Sequence, residues 1–276
     1  MDQSLWLLII LNAYLGYLLA VGVDGALWGD SRWPAHRAIG IWVLLLGGGT
    51  AIAIKAVDPS DRRLLPKPLR RPKLSLEMAA GLLAGGFILS FTLPYAFRAV
   101  YVLASVLSLL LVLMYANKLR RLLWAASALF LGALTPLAGY EAVGVQLRPN
   151  AVLAMIGLTA LLAAIYPLYW HVKSGAHHPI WGGGGVRAVV LSAVSFSFLV
   201  MITAWTIKAD ALYGGGTSYV GIAALLASFA VWIVQFVRWS GRLTVEIDDK
   251  TEKKFQTDML QALVVTDVAL VVALSL

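Results

Sequence analysis

Apolar residues in this chain are gathered into long runs, without the alternation of a half-buried strand or the stripe of a surface helix. Nine runs stand out: Leu5 to Trp28, Ala38 to Ile54, Leu76 to Pro94, Ala99 to Ala116, Leu122 to Val145, Ala151 to Trp170, Ala188 to Ile207, Val220 to Val237 and Met259 to Leu276. Roughly 20 apolar residues, each rising about 1.5 Å, cover the roughly 30 Å of hydrocarbon in a bilayer. The pattern predicts an all-α, polytopic integral membrane bundle of about nine transmembrane helices, forming a single membrane domain over 1–276. No Lys or Arg precedes the first run and no small-residue cleavage site follows a short apolar core, so it is expected to be a retained helix.

Composition sharpens this reading. With 60% hydrophobic and 13% charged residues and a mean hydropathy of +0.82, the chain has too little polar surface to cover one water-soluble core. The absence of cysteine excludes disulfides, thiolate zinc sites, iron–sulfur clusters and covalently attached haem. Of the 22 Lys and Arg residues, 17 fall in the connections after the second, fourth, sixth and eighth runs, at about 55–75, 116–121, 171–187 and 238–258. The excess of Lys and Arg on cytoplasmic loops predicts that these four connections and the N-terminus face the cytoplasm, in the cell membrane. The same charge attracts anionic headgroups, making membrane lipid an expected partner. Nucleic acid is not expected, because no soluble basic domain with interleaved aromatics is present.

Candidate chemistry is densest in "KAVDPSDRRLLPKPLRRPKLS", Lys55 to Ser75. Asp58 and Asp61, three apart, could lie on one side of a helical turn and share a divalent cation such as Mg2+, with Arg and Lys holding phosphate. The same string also reads as turn chemistry, with Asp58 bonding backbone amides and Pro59 fixing φ. Tyr115-Ala-Asn-Lys118-Leu-Arg120-Arg121 is open to two readings as well: a phosphate-binding cluster, or an interfacial aromatic followed by cytoplasmic charge. His171, His177 and His178 lie in a loop without a partner carboxylate, which disfavours a metal role. Within the runs charges are few, Asp24 and Asp267 standing out with the neutral Asn12, and intramembrane ionisable groups are functional candidates.

The order of these segments resembles the UbiA family of intramembrane prenyltransferases. "DPSDRRLLPKPLRRPKLS" resembles that family's Asn-Asp-x-x-Asp-x-x-x-Asp motif and the Arg-Pro-Leu-x-x-Gly-Arg-Ile-Ser-like segment after it. "YANKLRRLLWAASALFLGALTPLAGYEAVGVQL" is similar to its Tyr-x-x-x-x-Lys-Arg stretch and Gly-rich fifth helix, and "DDKTEKKFQTDMLQALVVTDVAL" to its final loop and helix. The resemblance implies a nine-helix bundle opening to the cytoplasm, which transfers a prenyl group from a prenyl diphosphate to a polar or aromatic acceptor. It further implies that Asp58 and Asp61 act in catalysis and hold Mg2+, and that Arg62, Arg63, Lys67, Arg70, Tyr115, Lys118, Arg120 and Lys173 contact the diphosphate.

The chain departs from the family pattern at the second aspartate motif, expected after the sixth helix, since no Asp or Glu occurs between Glu141 and Asp210. Val57 also replaces the expected Asn, and the third aspartate of the first motif is missing. With half the carboxylates gone, a two-metal site is undercharged. A second expectation therefore stands beside the enzyme: a catalytically silent relative that binds lipid or assembles with subunits of a larger membrane complex. A transporter is the third.

Overall fold

In a computed structural model, residues 3–28, 32–57, 65–174, 182–213, 219–240 and 249–275 are described. Among them the chain is all-helical with no strands, and eight helices are long and apolar enough to cross a membrane. The protein is thus a polytopic helical bundle of the kind the apolar runs predict. It divides into two compact units, Met1–Leu147 and Arg148–Leu276.

The first unit contains α1 (Gln3–Trp28), α2 (Arg32–Gly40), α3 (Gly48–Val57), α4 (Pro72–Ser90), α5 (Tyr95–Ala116), α6 (Arg120–Leu129) and α7 (Thr135–Glu141). Two pairs are fused through wider, π-helical turns: Ile41–Gly47 joins α2 to α3, and Phe130–Leu134 joins α6 to α7. Each fused pair therefore makes one span, Trp33–Val57 and Leu122–Glu141. α1 departs from the expected uninterrupted first span. Gly22 takes φ 74° and ψ 171°, a conformation open essentially to glycine alone, and kinks α1 there.

Both π-turns come with their own polar partners. A wider turn displaces carbonyls from the usual i→i+4 ladder, and buried carbonyls need donors. In the second turn, Asn12 Nδ2 donates to Leu131 O at 3.1 Å and Thr135 Oγ1 to Phe130 O at 2.8 Å. In the first, Thr50 Oγ1 donates to Leu46 O at 2.7 Å. The two turns meet where the Trp42 ring stacks on Phe130, with centroids 5.7 Å apart, and Trp42 Nε1 donates to Thr135 Oγ1 at 3.3 Å. Phe97 and Tyr101 close the cluster edge-on.

Without a hydrophobic drive between helices in lipid, association depends on close packing and interhelical hydrogen bonds. α1 meets α7 through glycines: a Cβ on Gly16 would strike the Pro136 carbonyl, and one on Gly139 the Ala13 carbonyl. Asn12 to Leu131, Gly16 to Pro136 and Tyr17 to Gly139 advance in the same order, so α1 runs parallel to the α6–α7 span.

The second unit contains α8 (Pro149–Ser174), α9 (Gly182–Tyr213), α10 (Tyr219–Ser240) and α11 (Asp249–Ser275). Gly157 lies against Ser197 and Met201, and Gly221 against Trp205 and Ala273. Phe198 packs on Phe229 at 5.1 Å and Tyr169 on Phe255 at 5.8 Å. Many apolar side chains remain exposed on the spans, Leu103, Leu109, Leu113, Leu199 and Val234 among them, as lipid-facing surfaces require.

Candidate functional site

The helical register gathers most of the basic residues of the first unit at one end, Arg37 and Arg98 lying at the other beside Thr92 and Phe91. Gly49 lies against Ala79 and Leu83, while Leu45 lies against Gly86, so α3 and α4 run antiparallel. Tyr101, which abuts Gly86, also donates to Leu83 O at 3.1 Å, setting α5 antiparallel to α4. Extending both registers to the helix ends brings Val57, Pro72 and Tyr115 to a common height. α6 starts just beyond, at Arg120. This end therefore presents two helix N-termini, those of α4 and α6, and two C-termini, those of α3 and α5.

Both N-termini carry bases where most helices carry acids. Lys67, Arg70, Arg71 and Lys73 surround the start of α4, Arg120 and Arg121 begin α6, and neither first turn contains an acid. A helix N-terminus is already equivalent to roughly half a positive charge, so these cations add to the local potential. The combination repels itself and attracts phosphate or carboxylate.

Local contacts fix the loop that carries these groups. Arg70 Nε donates to Leu65 O at 3.1 Å. Ser75, fully buried, donates to Leu69 O and to Arg71 O, anchoring the 3-10 turn Lys67–Arg70 onto α4. Lys67 and Arg70 themselves are exposed, and among the described residues the acid near this end, Glu77, faces Lys73 at 4.0 Å.

At the end of α5, Leu119 N donates to Met114 O at 2.9 Å while Lys118 takes φ 56°. This is a Schellman-type ending whose left-handed position usually belongs to Gly or Asn. Lys118 holds that conformation at a cost of about 1–2 kcal/mol, and its side chain is exposed. Tyr115 is half-buried one turn earlier.

Of the residues expected to form a site, Lys67, Arg70, Tyr115, Lys118 and the backbone of Arg120 are thus brought to one end of the first unit. Asp58, Asp61, Arg62 and Arg63 lie outside the described residues, as do His177 and His178. Lys173 falls in α8 of the second unit. Among the described residues, no three His, Cys, Asp or Glu side chains gather where they could hold a metal ion. The described side chains at this end are mostly cationic and suit phosphate oxygens rather than Mg2+, so the magnesium expectation rests on Asp58 and Asp61.

The second unit has a polar constellation that reading the sequence passed over. Asp258, in the charged approach to the last span, is buried; it pairs with Arg238 at 3.1 Å and accepts from Trp239 Nε1 at 3.2 Å. Arg187 Nη2 donates to the neighbouring Ser240 O at 2.7 Å. An i,i+3 position facing Trp239 was the available signal, hidden among solvated charges. Comparison with models of known protein families, with characterised proteins and with solved structures finds no match to this chain.

Proposed function

We propose that the basic end of the first unit binds the diphosphate head of a prenyl lipid from the cytoplasmic side, and that the protein is a UbiA-like prenyltransferase acting on a polar or aromatic acceptor. What supports the reading is the coincidence of two base-rich helix N-termini at one membrane-level end, beside Tyr115 and the strained Lys118. Lys67, Arg70, Lys118 and the α6 N-terminus hold phosphate oxygens, and charge that builds on the leaving diphosphate is stabilised by the same groups. Mg2+, if held by Asp58 and Asp61, would add Lewis acidity there. The prenyl chain lies among apolar spans.

A second reading, a silent lipid-binding or complex-assembling relative, is favoured by the absence of any Asp or Glu between Glu141 and Asp210. One experiment separates the two. Purified protein is incubated with radiolabelled geranylgeranyl diphosphate, magnesium and membrane extract, and both bound label and labelled lipid product are measured. Binding lost in Lys67→Gln/Arg70→Gln, with product lost in Asp58→Asn and Asp61→Asn, supports the transferase. Binding without product, together with other membrane subunits in fixed ratio, supports the silent relative. No binding by the unaltered protein sinks the transferase, and no binding together with no co-purifying subunit sinks both.

A further inference from the structure

Asp267 lies in α11 with a side chain 5% exposed and neither carboxylate oxygen hydrogen-bonded. Its height in the second unit follows from its neighbours. Thr266 meets Ser228 and Trp232, Ala273 meets Gly221, and Asp258 meets Trp239, so α10 and α11 are antiparallel and Ser228 is level with Asp267. Phe198 meets Phe229, which puts Ser197 at the same level on α9, and Gly157 meets Ser197 from α8. Ser197 and Ser228 stand near the centres of the spans Gly185–Lys208 and Tyr219–Ser240. The carboxyl therefore sits close to the midplane of the second unit, in a layer with Ser197, Ser228, Trp232 and Thr266, all buried.

That layer has no donor left over for a carboxylate. Thr266 Oγ1 donates to Ala262 O at 2.9 Å and receives Trp232 Nε1 at 2.9 Å. Ser228 and Thr266 share one bond at 2.9 Å, and with the Thr266 proton spent, Ser228 is its donor. Ser197 donates to Ala193 O at 2.7 Å. Among the described residues of the second unit, no counter-charge is near either. Between 149 and 207, and between 220 and 237, the described residues of the three spans around α11 hold no ionisable side chain except His171, Lys173 and Arg187, toward one end, and Tyr166 and Tyr169 near that end. Lys208 and Arg148 stand at the opposite end. Asp258, the nearest charge on α11 itself, is nine residues away, about 13 Å along the helix.

A buried carboxylate with neither donor nor counter-ion is among the costliest groups in a membrane interior. We propose that Asp267 is a proton-binding site at the midplane of the second unit, its carboxyl taking up a proton to become the neutral acid and releasing it to re-form the carboxylate. The inference is independent of the diphosphate reading, which concerns the first unit.

The test uses the full-length protein in lipid vesicles and dicyclohexylcarbodiimide, a lipid-soluble reagent that adds to protonated carboxyl groups in apolar surroundings. Mass spectrometry is expected to find the adduct on the peptide containing Asp267, falling about tenfold per pH unit on the alkaline side of the titration. Asp267→Glu keeps the adduct and Asp267→Asn abolishes it. The infrared carbonyl band of a carboxylic acid should fade over the same pH range and be missing from Asp267→Asn. An acid band and labelling that ignore pH would mean a permanently neutral structural acid and overturn the proposal. So would the absence of both band and adduct at acid pH. Protection by sodium at fixed pH, with potassium inert, would reassign the site to sodium and overturn it as well.

Discussion

Lys118 is a single residue where stability and binding pull in opposite directions. Its backbone occupies a conformation that glycine adopts without strain, while its side chain is one of the cations at the basic end. Lys118→Gly is expected to stabilise the protein by about 1 kcal/mol, read as a raised thermal midpoint in detergent, and at the same time to weaken geranylgeranyl diphosphate binding. Lys118→Gln, which retains the strain, should weaken binding without the gain. Equal binding by all three proteins would remove Lys118 from the site. This strain was not legible in the chain's pattern, because a lysine after a tyrosine at a helix end reads as ordinary interfacial charge. Glycines make a second contrast. Gly16→Leu drives a side chain into the Pro136 backbone and is expected to cost about 1–3 kcal/mol. Gly81→Ala meets open space within α4 and is expected to stabilise by about 0.5–1 kcal/mol. Thermal unfolding of the two variants side by side checks both signs.

Helices were legible as apolar runs because lipid imposes one length and one composition on every span. Their interruptions were not. Gly22 breaks α1 inside a run with no proline, and neither π-turn has a sequence marker apart from the Asn12, Thr50 and Thr135 side chains that serve it. A π-turn absorbs one additional residue while leaving the flanking helices facing as before. Deleting Gly132 from the turn is therefore expected to preserve the α1–α7 contact and a monodisperse, folded protein. Deleting Leu137 instead turns the remainder of α7 by about 100°, carries Gly139 off α1 and should abolish folding. Size-exclusion profiles of the two deletions in detergent distinguish a tolerated bulge from a required one.

At the scale of the whole molecule, the charge asymmetry and the first unit's packing bear on one question, the side of the membrane on which each end stands. From Gln3 to its kink at Gly22, α1 covers about 30 Å of helix, against roughly 30 Å of hydrocarbon. Packing favours a crossing too. α1 lies parallel to the α6–α7 span, with Asn12 level with Leu131, so its N-terminal end stands with the α6 N-terminus and with Lys67. Because the chain contains no cysteine, single substitutions report sidedness without background. In inside-out vesicles an impermeant maleimide is expected to label Lys67→Cys and Ser4→Cys, but not Tyr95→Cys, whose position is 78% exposed at the far end of α5. Right-side-out vesicles should give the reverse. Ser4→Cys labelled together with Tyr95→Cys would mean that α1 does not cross, leaving the basic end in place. Lys67→Cys labelled only from outside would reverse the basic end itself, and a cytoplasmic diphosphate lipid could then no longer reach it.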